Sequence, residues 1–160
     1  MVVINMKHRI RVGAIIVENN KILLVKHIYP KTGYEYWVPP GGGVEAEDDS
    51  IFDCAKRETF EETNLKVETS RIIYISEFFE KENQQLHIEL FVLVENYSGN
   101  ISLKNIPGNG PDEDFIKRVE WLSQEDLANI NVFPEILKSF FWDDYKDNFP
   151  DVRYLGRLDG

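Results

Sequence analysis

Residues 43 to 65 read GVEAEDDSIFDCAKRETFEETNL, and the interpretation of the whole chain starts from this stretch. Asp48, Asp49 and Ser50 are favourable residues for the start of a helix, because their side chains cap backbone N–H groups and the negative charges match the helix dipole. Ile51, Cys54 and Ala55 then recur at the spacing of one helix face. We predict a helix over residues 48 to 63, with Cys54 in the core rather than acting as a nucleophile.

Three acids of this helix share one side of it. Glu58, Glu61 and Glu62 stand at positions i, i+3 and i+4, so their side chains are neighbours and repel one another. A charge cluster of this kind is usually a solvated surface. The alternative is a divalent cation, since Mg²⁺ prefers hard oxygen ligands and bridges carboxylates to substrate phosphates.

The same stretch resembles the Nudix box, G-x5-E-x7-R-E-U-x-E-E-x-G-U, in which U is an aliphatic residue. Six positions match without any insertion or deletion, namely Gly43, Arg57, Glu58, Glu61, Glu62 and Leu65. Three positions depart from the motif. Asp49 replaces the first Glu of the motif. Thr59 replaces an aliphatic residue and adds a hydroxyl group that can form a hydrogen bond to the helix backbone. Asn64 replaces a glycine, and asparagine is the next best residue for a left-handed helix end.

Outside the box, alternation of apolar residues and turn signals predict the remaining elements. We expect a hairpin of strands 10–17 and 22–29, a short segment 34–38 stopped by two prolines before a loop of three glycines, an antiparallel pair 72–79 and 86–94, a strand 115–122, and helices 123–127 and 133–141. Residues 142 to 160 are assigned only as packing against the body or a partner. The resemblance implies an α/β fold, the Nudix-type α/β/α sandwich with a mixed β-sheet. We expect one domain over residues 1–160, with a core of about 9–140 and a C-terminal tail 141–160.

The resemblance also implies roles for the residues of the box. Glu58 and Glu62 would be ligands of Mg²⁺, for which Mn²⁺ could substitute, and the Gly42 carbonyl would be a further ligand. Glu61 would be a ligand or would orient the attacking water, and Arg57 would orient the glutamates by ion pairing. In that family, water attacks a phosphorus of a nucleoside diphosphate linked to another group.

Further candidates lie outside the helix. Family members often add a downstream acid from a loop, and Glu113 is our choice, with Asp112 and Asp114 as alternatives. For substrate binding we select residues that could face a phosphate or a base: Arg9, Arg11, His27, Tyr36 and Gly43. For each of the basic residues, an exposed position on a strand without a role is an equally good reading.

Composition limits the partners. A net charge of −10 opposes binding to nucleic acid polymers or to anionic membranes. Only one cysteine is present, so no internal disulfide can form and a cytoplasmic location is expected. The partner implied is a small nucleotide-like substrate, and a homodimer is suggested only by the aromatic C-terminal residues. The competing functions are a nucleotide-sensing domain that binds with little or no turnover, and an acidic interaction domain that binds no nucleotide.

Overall fold

The computed structural model describes residues 5 to 106 and 116 to 160. Within these residues the strands are β1 Lys7–Ile15, β2 Val17–Glu18, β3 Lys21–Ile28, β4 Glu35–Val38, β5 Gly41–Gly43, β6 Lys66–Glu80, β7 Gln85–Ser98, β8 Ile116–Ser123 and β9 Arg153–Asp159. The helices are α1 Ile51–Thr63, α2 Gln124–Leu127 and α3 Phe141–Lys146, with a 3₁₀ helix at Glu135–Lys138. No helix in the described ranges is long and apolar enough to cross a membrane.

The strands form two sheets. The larger sheet has the order β5-β1-β7-β6-β9, with β1 parallel to β7, β6 parallel to β9, and its other neighbours antiparallel. In the smaller sheet β3 pairs antiparallel with β2, β4 and β8. The predicted fold class, α/β with a mixed sheet, is confirmed, and so is the antiparallel pair that became β6 and β7.

The predicted hairpin of strands 10–17 and 22–29 is wrong in its pairing. β1 lies in the larger sheet, between β5 and β7, and only the two residues of β2 form the turn with β3. The chain passes from one sheet to the other at Ile16, which is 1% exposed. Ala14, Ile15 and Ile16 are buried in two different clusters on alternate sides of the chain. The packing of both faces therefore outweighs the local turn that suggested a hairpin.

The prediction of a loop for the three glycines is also wrong, because these residues form a strand. Gly41–Gly43 form β5, which pairs antiparallel with β1 in the register Gly41 to Gly13 and Gly43 to Arg11. A Cβ atom on Gly41 would lie 2.1 Å from the carbonyl oxygen of Val12. The chain can therefore approach β1 this closely only because residue 41 has no side chain.

Helix α1 begins and ends as its sequence indicates. Ser50 caps it by accepting a hydrogen bond from the Asp53 N–H at 3.2 Å. Asn64 ends it in the left-handed conformation with φ of 66°, which confirms the reading of this substitution. The hydroxyl of Thr59 does not make the expected hydrogen bond to the helix backbone: its oxygen is buried and has no hydrogen-bond partner. The hydroxyl of Thr63 instead donates to the Thr59 carbonyl at 2.6 Å.

Part of the C-terminal segment packs in the core, as one of the two readings of the sequence expected. Phe141 and Phe149 are 0% and 3% exposed and lie in the cluster that joins the two sheets. β9 completes the edge of the larger sheet beside β6. The helix predicted for 133–141 is reduced to the 3₁₀ helix at 135–138, followed by α3.

Candidate active site

The three glutamates lie where α1 packs against β5. The Gly41 N–H donates to a carboxylate oxygen of Glu62 at 3.0 Å. A Cβ atom on Gly42 would lie 2.4 Å from the carboxyl carbon of Glu58, so this side chain fills the space beside the glycine. Cys54 packs underneath, with its Sγ 3.5 Å from the Gly43 carbonyl oxygen. The structure therefore brings Glu58, Glu62 and the glycine strand together, as the box predicts.

Arg57 connects the acids at the surface of this region. Its Nη1 donates to Glu58 at 2.8 Å and to Glu61 at 3.5 Å, while its Nη2 donates to the Gly43 carbonyl at 3.1 Å. Its Nε and Nη2 also donate to the two carboxylate oxygens of Asp48, at 2.9 and 2.8 Å. This paired geometry fixes the plane of the guanidinium group, and Arg57 in turn positions Glu58 and Glu61.

Asp48 is a buried member of this cluster that the sequence analysis did not select. Its side chain is 3% exposed, whereas Asp49, which we matched to the first Glu of the motif, is exposed. Asp48 stands six residues after Gly42, so the motif fits with Gly42 as its first glycine and one additional residue before Arg57. In the structure it is Asp48, and not Asp49, whose carboxylate pairs with Arg57. Because Asp48 and Asp49 are adjacent and identical, the sequence alone did not show which of them corresponds to the first Glu of the motif.

Burial controls the protonation of these groups. Desolvation raises the pKa of Glu58 and raises that of Glu62 well above its usual value, and the charges of the neighbouring acids add to both effects. The hydrogen bonds from Arg57 lower the pKa of Asp48 to about 2. Burial raises the pKa of the Cys54 thiol to about 12, which suits a core residue and not a nucleophile. Two carboxyl groups are thus held in a setting that disfavours their charge unless a cation joins them.

Two basic candidates lie on the face of β1 opposite the one that packs on α1. Val12 packs with Cys54 of α1, so alternation along the strand places Arg9 and Arg11 on the other face. A Cβ atom on Gly43 would lie 2.9 Å from the guanidinium of Arg9. Arg11 lies 3.6 Å from Glu89, and its charge lowers the pKa of the buried glutamates. The charge of Arg11 therefore reaches the acids, while Arg9 lies beside Gly43.

The remaining candidates lie elsewhere. His27 and Tyr36 are opposite each other on β3 and β4, with ring centroids 5.0 Å apart. Glu113, like Asp112 and Asp114, lies outside the described residues.

The oxygen donors of the site suit a magnesium ion in chemistry. Glu58 and Glu62 are hard, partly desolvated carboxylates beside the backbone of Gly42, a setting that Mg²⁺ accepts. Within residues 5–106 and 116–160, however, no three side chains of His, Cys, Asp or Glu converge as ligands would. Arg57 bonds to Glu58 and Glu61, so these two carboxylates would have to turn from Arg57 to share an ion.

Comparison with known proteins shows which family and which solved structures this chain resembles. The family model described as the NUDIX domain matches residues 7–142. No curated protein is similar enough to count as a relative. The fold resembles a MutT NUDIX hydrolase from Burkholderia pseudomallei, with a TM-score of 0.63, 23% identity, and coverage of 79% of this chain and 92% of that one. The fold also resembles a MutT protein from Methanosarcina mazei Go1, with a TM-score of 0.67, 20% identity, and coverage of 91% of this chain and 98% of that one. A third similar fold is that of an ADP-ribose pyrophosphatase from Streptococcus suis 89-1591, with a TM-score of 0.56, 19% identity, and coverage of 94% of this chain and 98% of that one.

Proposed function

The chain belongs to the Nudix hydrolase family, and on that premise we propose that it hydrolyses a phosphoanhydride bond in a nucleoside diphosphate linked to another group, using Mg²⁺. The observation that carries the proposal is the pair of desolvated carboxylates, Glu58 and Glu62, held against the glycine strand β5. Such a pair is costly to keep charged in the folded protein. It is explained by a cation that both groups share when the enzyme works.

Each residue has a defined part in this proposal. Glu58, Glu62 and the Gly42 carbonyl would hold the metal, which neutralises charge on the leaving phosphate and lowers the pKa of a bound water. Glu61, with its side chain 29% exposed, would orient the attacking water or add a ligand. Arg57 would orient Glu58 and Glu61 through its ion pairs with them. Glu113 stays a prediction as the downstream acid.

Substrate recognition rests on the opposite side of the site. Arg11, whose charge reaches the acids, and Arg9, beside Gly43, would supply positive charge in a chain of net charge −10, and that charge would attract the phosphates of the substrate. Gly43 presents its backbone there, with the guanidinium of Arg9 directly beside it. ADP-ribose-like molecules, dinucleoside polyphosphates and nucleoside triphosphates are the candidate classes. His27 and Tyr36 are proposed for the base.

The test is hydrolysis of a nucleotide panel by the purified protein with Mg²⁺ or Mn²⁺. The panel contains ADP-ribose, diadenosine tetraphosphate, UDP-glucose and the nucleoside triphosphates, and EDTA provides the metal-free reference. We expect at least one compound to be cleaved by the wild type and by Glu68→Gln, a charge-matched control at an exposed position. Glu61→Gln should lose at least 100-fold in rate, on the order of one catalytic group.

The competing function is a nucleotide-sensing domain. It is favoured by the ion pairs that Arg57 makes with Glu58 and Glu61, which hold both acids away from a shared ion. It predicts that the wild type and Glu61→Gln bind nucleotide equally and that neither forms product over many hours. A cytoplasmic location and a homodimer stay predictions. Of the aromatic residues that suggested a dimer, Trp142 and Phe149 are buried and Tyr154 is exposed.

A further inference from the structure

The end of α1 is bound to the loop that follows β7, and we call residues 99 to 106 the capping loop. Asn64 is the residue that ends α1. Its Nδ2 donates to the Asn100 carbonyl at 2.8 Å, and its Oδ1 accepts a hydrogen bond from Nδ2 of Asn105 at 2.6 Å. One side chain therefore binds the capping loop at two points.

The capping loop also binds the backbone of the last turn of α1. Nδ2 of Asn105 donates to the Phe60 carbonyl at 3.4 Å, and the Asn64 N–H donates to the same carbonyl at 2.9 Å. The Ser102 N–H donates to the Thr63 carbonyl at 2.9 Å. Because the last carbonyl groups of a helix lack partners beyond its end, the capping loop supplies donors that the helix itself cannot.

The capping loop starts close to the helix because its first residue is a glycine. Gly99 follows β7 directly and has a φ of 103°, a conformation that residues with a side chain rarely adopt. A Cβ atom on Gly99 would lie 3.1 Å from the Asn64 carbonyl oxygen. The contact between the capping loop and α1 thus depends on the backbone at residue 99 as well as on the two asparagine side chains.

The turn that the capping loop binds carries two of the proposed catalytic acids. Residues 58 to 63 read ETFEET, with Glu61 and Glu62 in the last turn and no basic residue among them. Acids are unfavourable at the negative end of the helix dipole, so this turn needs other support. A lysine or arginine would bind the terminal carbonyl groups, but it would also pair with Glu61 or Glu62 in place of a cation. Asparagine amides donate hydrogen bonds without adding a charge.

We propose that Asn64 and Asn105 are positioning residues of this enzyme, whose amides bind the last turn of α1 to the capping loop and so keep Glu61 and Glu62 where a cation can reach them. This proposal rests on the proposed function. Neither asparagine contacts the cation, and both act through the acids. The motif has a glycine at the position of Asn64, and a glycine can make neither of the two side-chain hydrogen bonds. The substitution therefore adds a contact that the motif does not provide.

The alternative is that Asn64 only replaces glycine as a left-handed residue, with its φ of 66°. Glycine adopts this conformation without strain, so Asn64→Gly keeps the backbone and removes only the side chain. If the alternative holds, this variant changes neither the protection of the helix amides nor the binding of Mg²⁺. If Asn64 positions the acids, the variant changes both.

The experiment measures two properties of the full chain in the absence of substrate. Amide hydrogen exchange of residues 61 to 64, followed in EDTA, reports how often the last turn of α1 opens. Isothermal titration calorimetry with Mg²⁺ alone reports whether the acids are in place to bind the cation. The variants are Asn64→Gly, Asn105→Ala and both together.

Three controls match these variants. Asn20→Gly replaces another left-handed asparagine, with a φ of 59°, at an exposed turn. Asn100→Ala keeps the backbone carbonyl that accepts from Asn64. Ser123→Ala removes the side-chain cap of α2, and losing such a cap costs about as much stability as losing two neutral hydrogen bonds. It therefore separates a loss of positioning from a loss of stability.

We expect the amides of residues 61 to 64 to exchange roughly 5- to 100-fold faster in Asn64→Gly than in the wild type, as the loss of two hydrogen bonds predicts. The Kd of this variant for Mg²⁺ should rise on the order of 3- to 10-fold, because affinity falls with the fraction of molecules whose last turn is in place. Asn105→Ala should change both properties in the same direction. Since the two amides share one hydrogen bond, the double variant should change by less than the product of the single fold-changes. The three controls should bind Mg²⁺ as the wild type does.

Two results would overturn this proposal alone. The first is exchange of residues 61 to 64 in Asn64→Gly at the wild-type rate. The second is an Asn64→Gly variant that binds Mg²⁺ as tightly as Ser123→Ala does. In both cases the wild type still binds Mg²⁺, and the proposed hydrolase stands. A wild type that binds no Mg²⁺ at millimolar concentration would overturn the proposed function together with this proposal.

Discussion

Replacing Asp48 with asparagine removes the carboxylate that holds Arg57 in place, and the neighbouring Asp49→Asn is its matched control. Asp48 is 3% exposed and accepts two hydrogen bonds from Arg57, at 2.9 and 2.8 Å. Asp49 is exposed. We therefore expect Asp48→Asn to be clearly destabilised and Asp49→Asn to resemble the wild type.

The magnitude follows from the pKa of the Asp48 carboxyl, which the hydrogen bonds from Arg57 lower from 3.8 to about 2. At about 1.4 kcal/mol per pKa unit, this corresponds to roughly 2 kcal/mol of stability at neutral pH. For a domain of this size, a loss of about 2 kcal/mol lowers the melting temperature by about 4–8 °C. Breaking a fully buried ion pair costs about 3–5 kcal/mol, and the partial exposure of Arg57 places our estimate below that range.

Urea denaturation of the wild type and both variants measures this difference. Because the pKa of Asp48 is lower in the folded state, its contribution is complete above about pH 4 and is lost as the pH falls towards 2. The gap between the wild type and Asp48→Asn should therefore narrow in acid. Equal stability of Asp48→Asn and the wild type at pH 7, or a larger loss in Asp49→Asn, would refute the assignment of Asp48 as the partner of Arg57.

Three further predictions concern the core and the buried acids. Burial raises the pKa of Glu62, so its carboxyl group lowers the free energy of unfolding increasingly as the pH rises above 4.5. In EDTA, Glu62→Gln should therefore have a higher melting temperature than the wild type at pH 8 but not at pH 4. Equal melting temperatures of the two proteins at both pH values would contradict this. Phe141→Ala, at a side chain 0% exposed, should cost about 3–5 kcal/mol in urea unfolding, while Phe140→Ala, at one 66% exposed, should be nearly neutral; similar values for the two would mean that this segment is not core. Gly41→Ala places a Cβ atom 2.1 Å from the Val12 carbonyl oxygen and should cost about 1–3 kcal/mol or more, so an unchanged urea midpoint would show that β5 and β1 are not this close.

Elements specified by local pattern could be predicted from the sequence. The caps and the apolar spacing of α1 are local signals, and they gave the helix and its end at Asn64 to within a few residues. β6 and β7 are neighbours in the chain, so their alternation was enough to predict the pair. The box likewise predicted that Glu58 and Glu62 lie beside the glycines.

Elements that depend on distant partners could not be predicted. β5 consists of three glycines, and nothing in its own pattern shows that Arg11 and Gly13 of β1 lie opposite. β9 reads as a polar aromatic segment until β6 is known to be its neighbour. The choice between Asp48 and Asp49 depends on the direction of each side chain, which the approach of Arg57 decides and residue type does not.

Cys54 gives this protein a built-in reporter of local opening. It is the only thiol in the chain, it is fully buried, and it lies between α1 and the carbonyl groups of Gly42 and Gly43. An alkylating reagent can reach its sulfur only when the helix lifts away from the strand, so the labelling rate counts those excursions. Magnesium or a substrate that binds the acids above should slow labelling without touching the sulfur, and occupancy could then be followed by mass spectrometry alone.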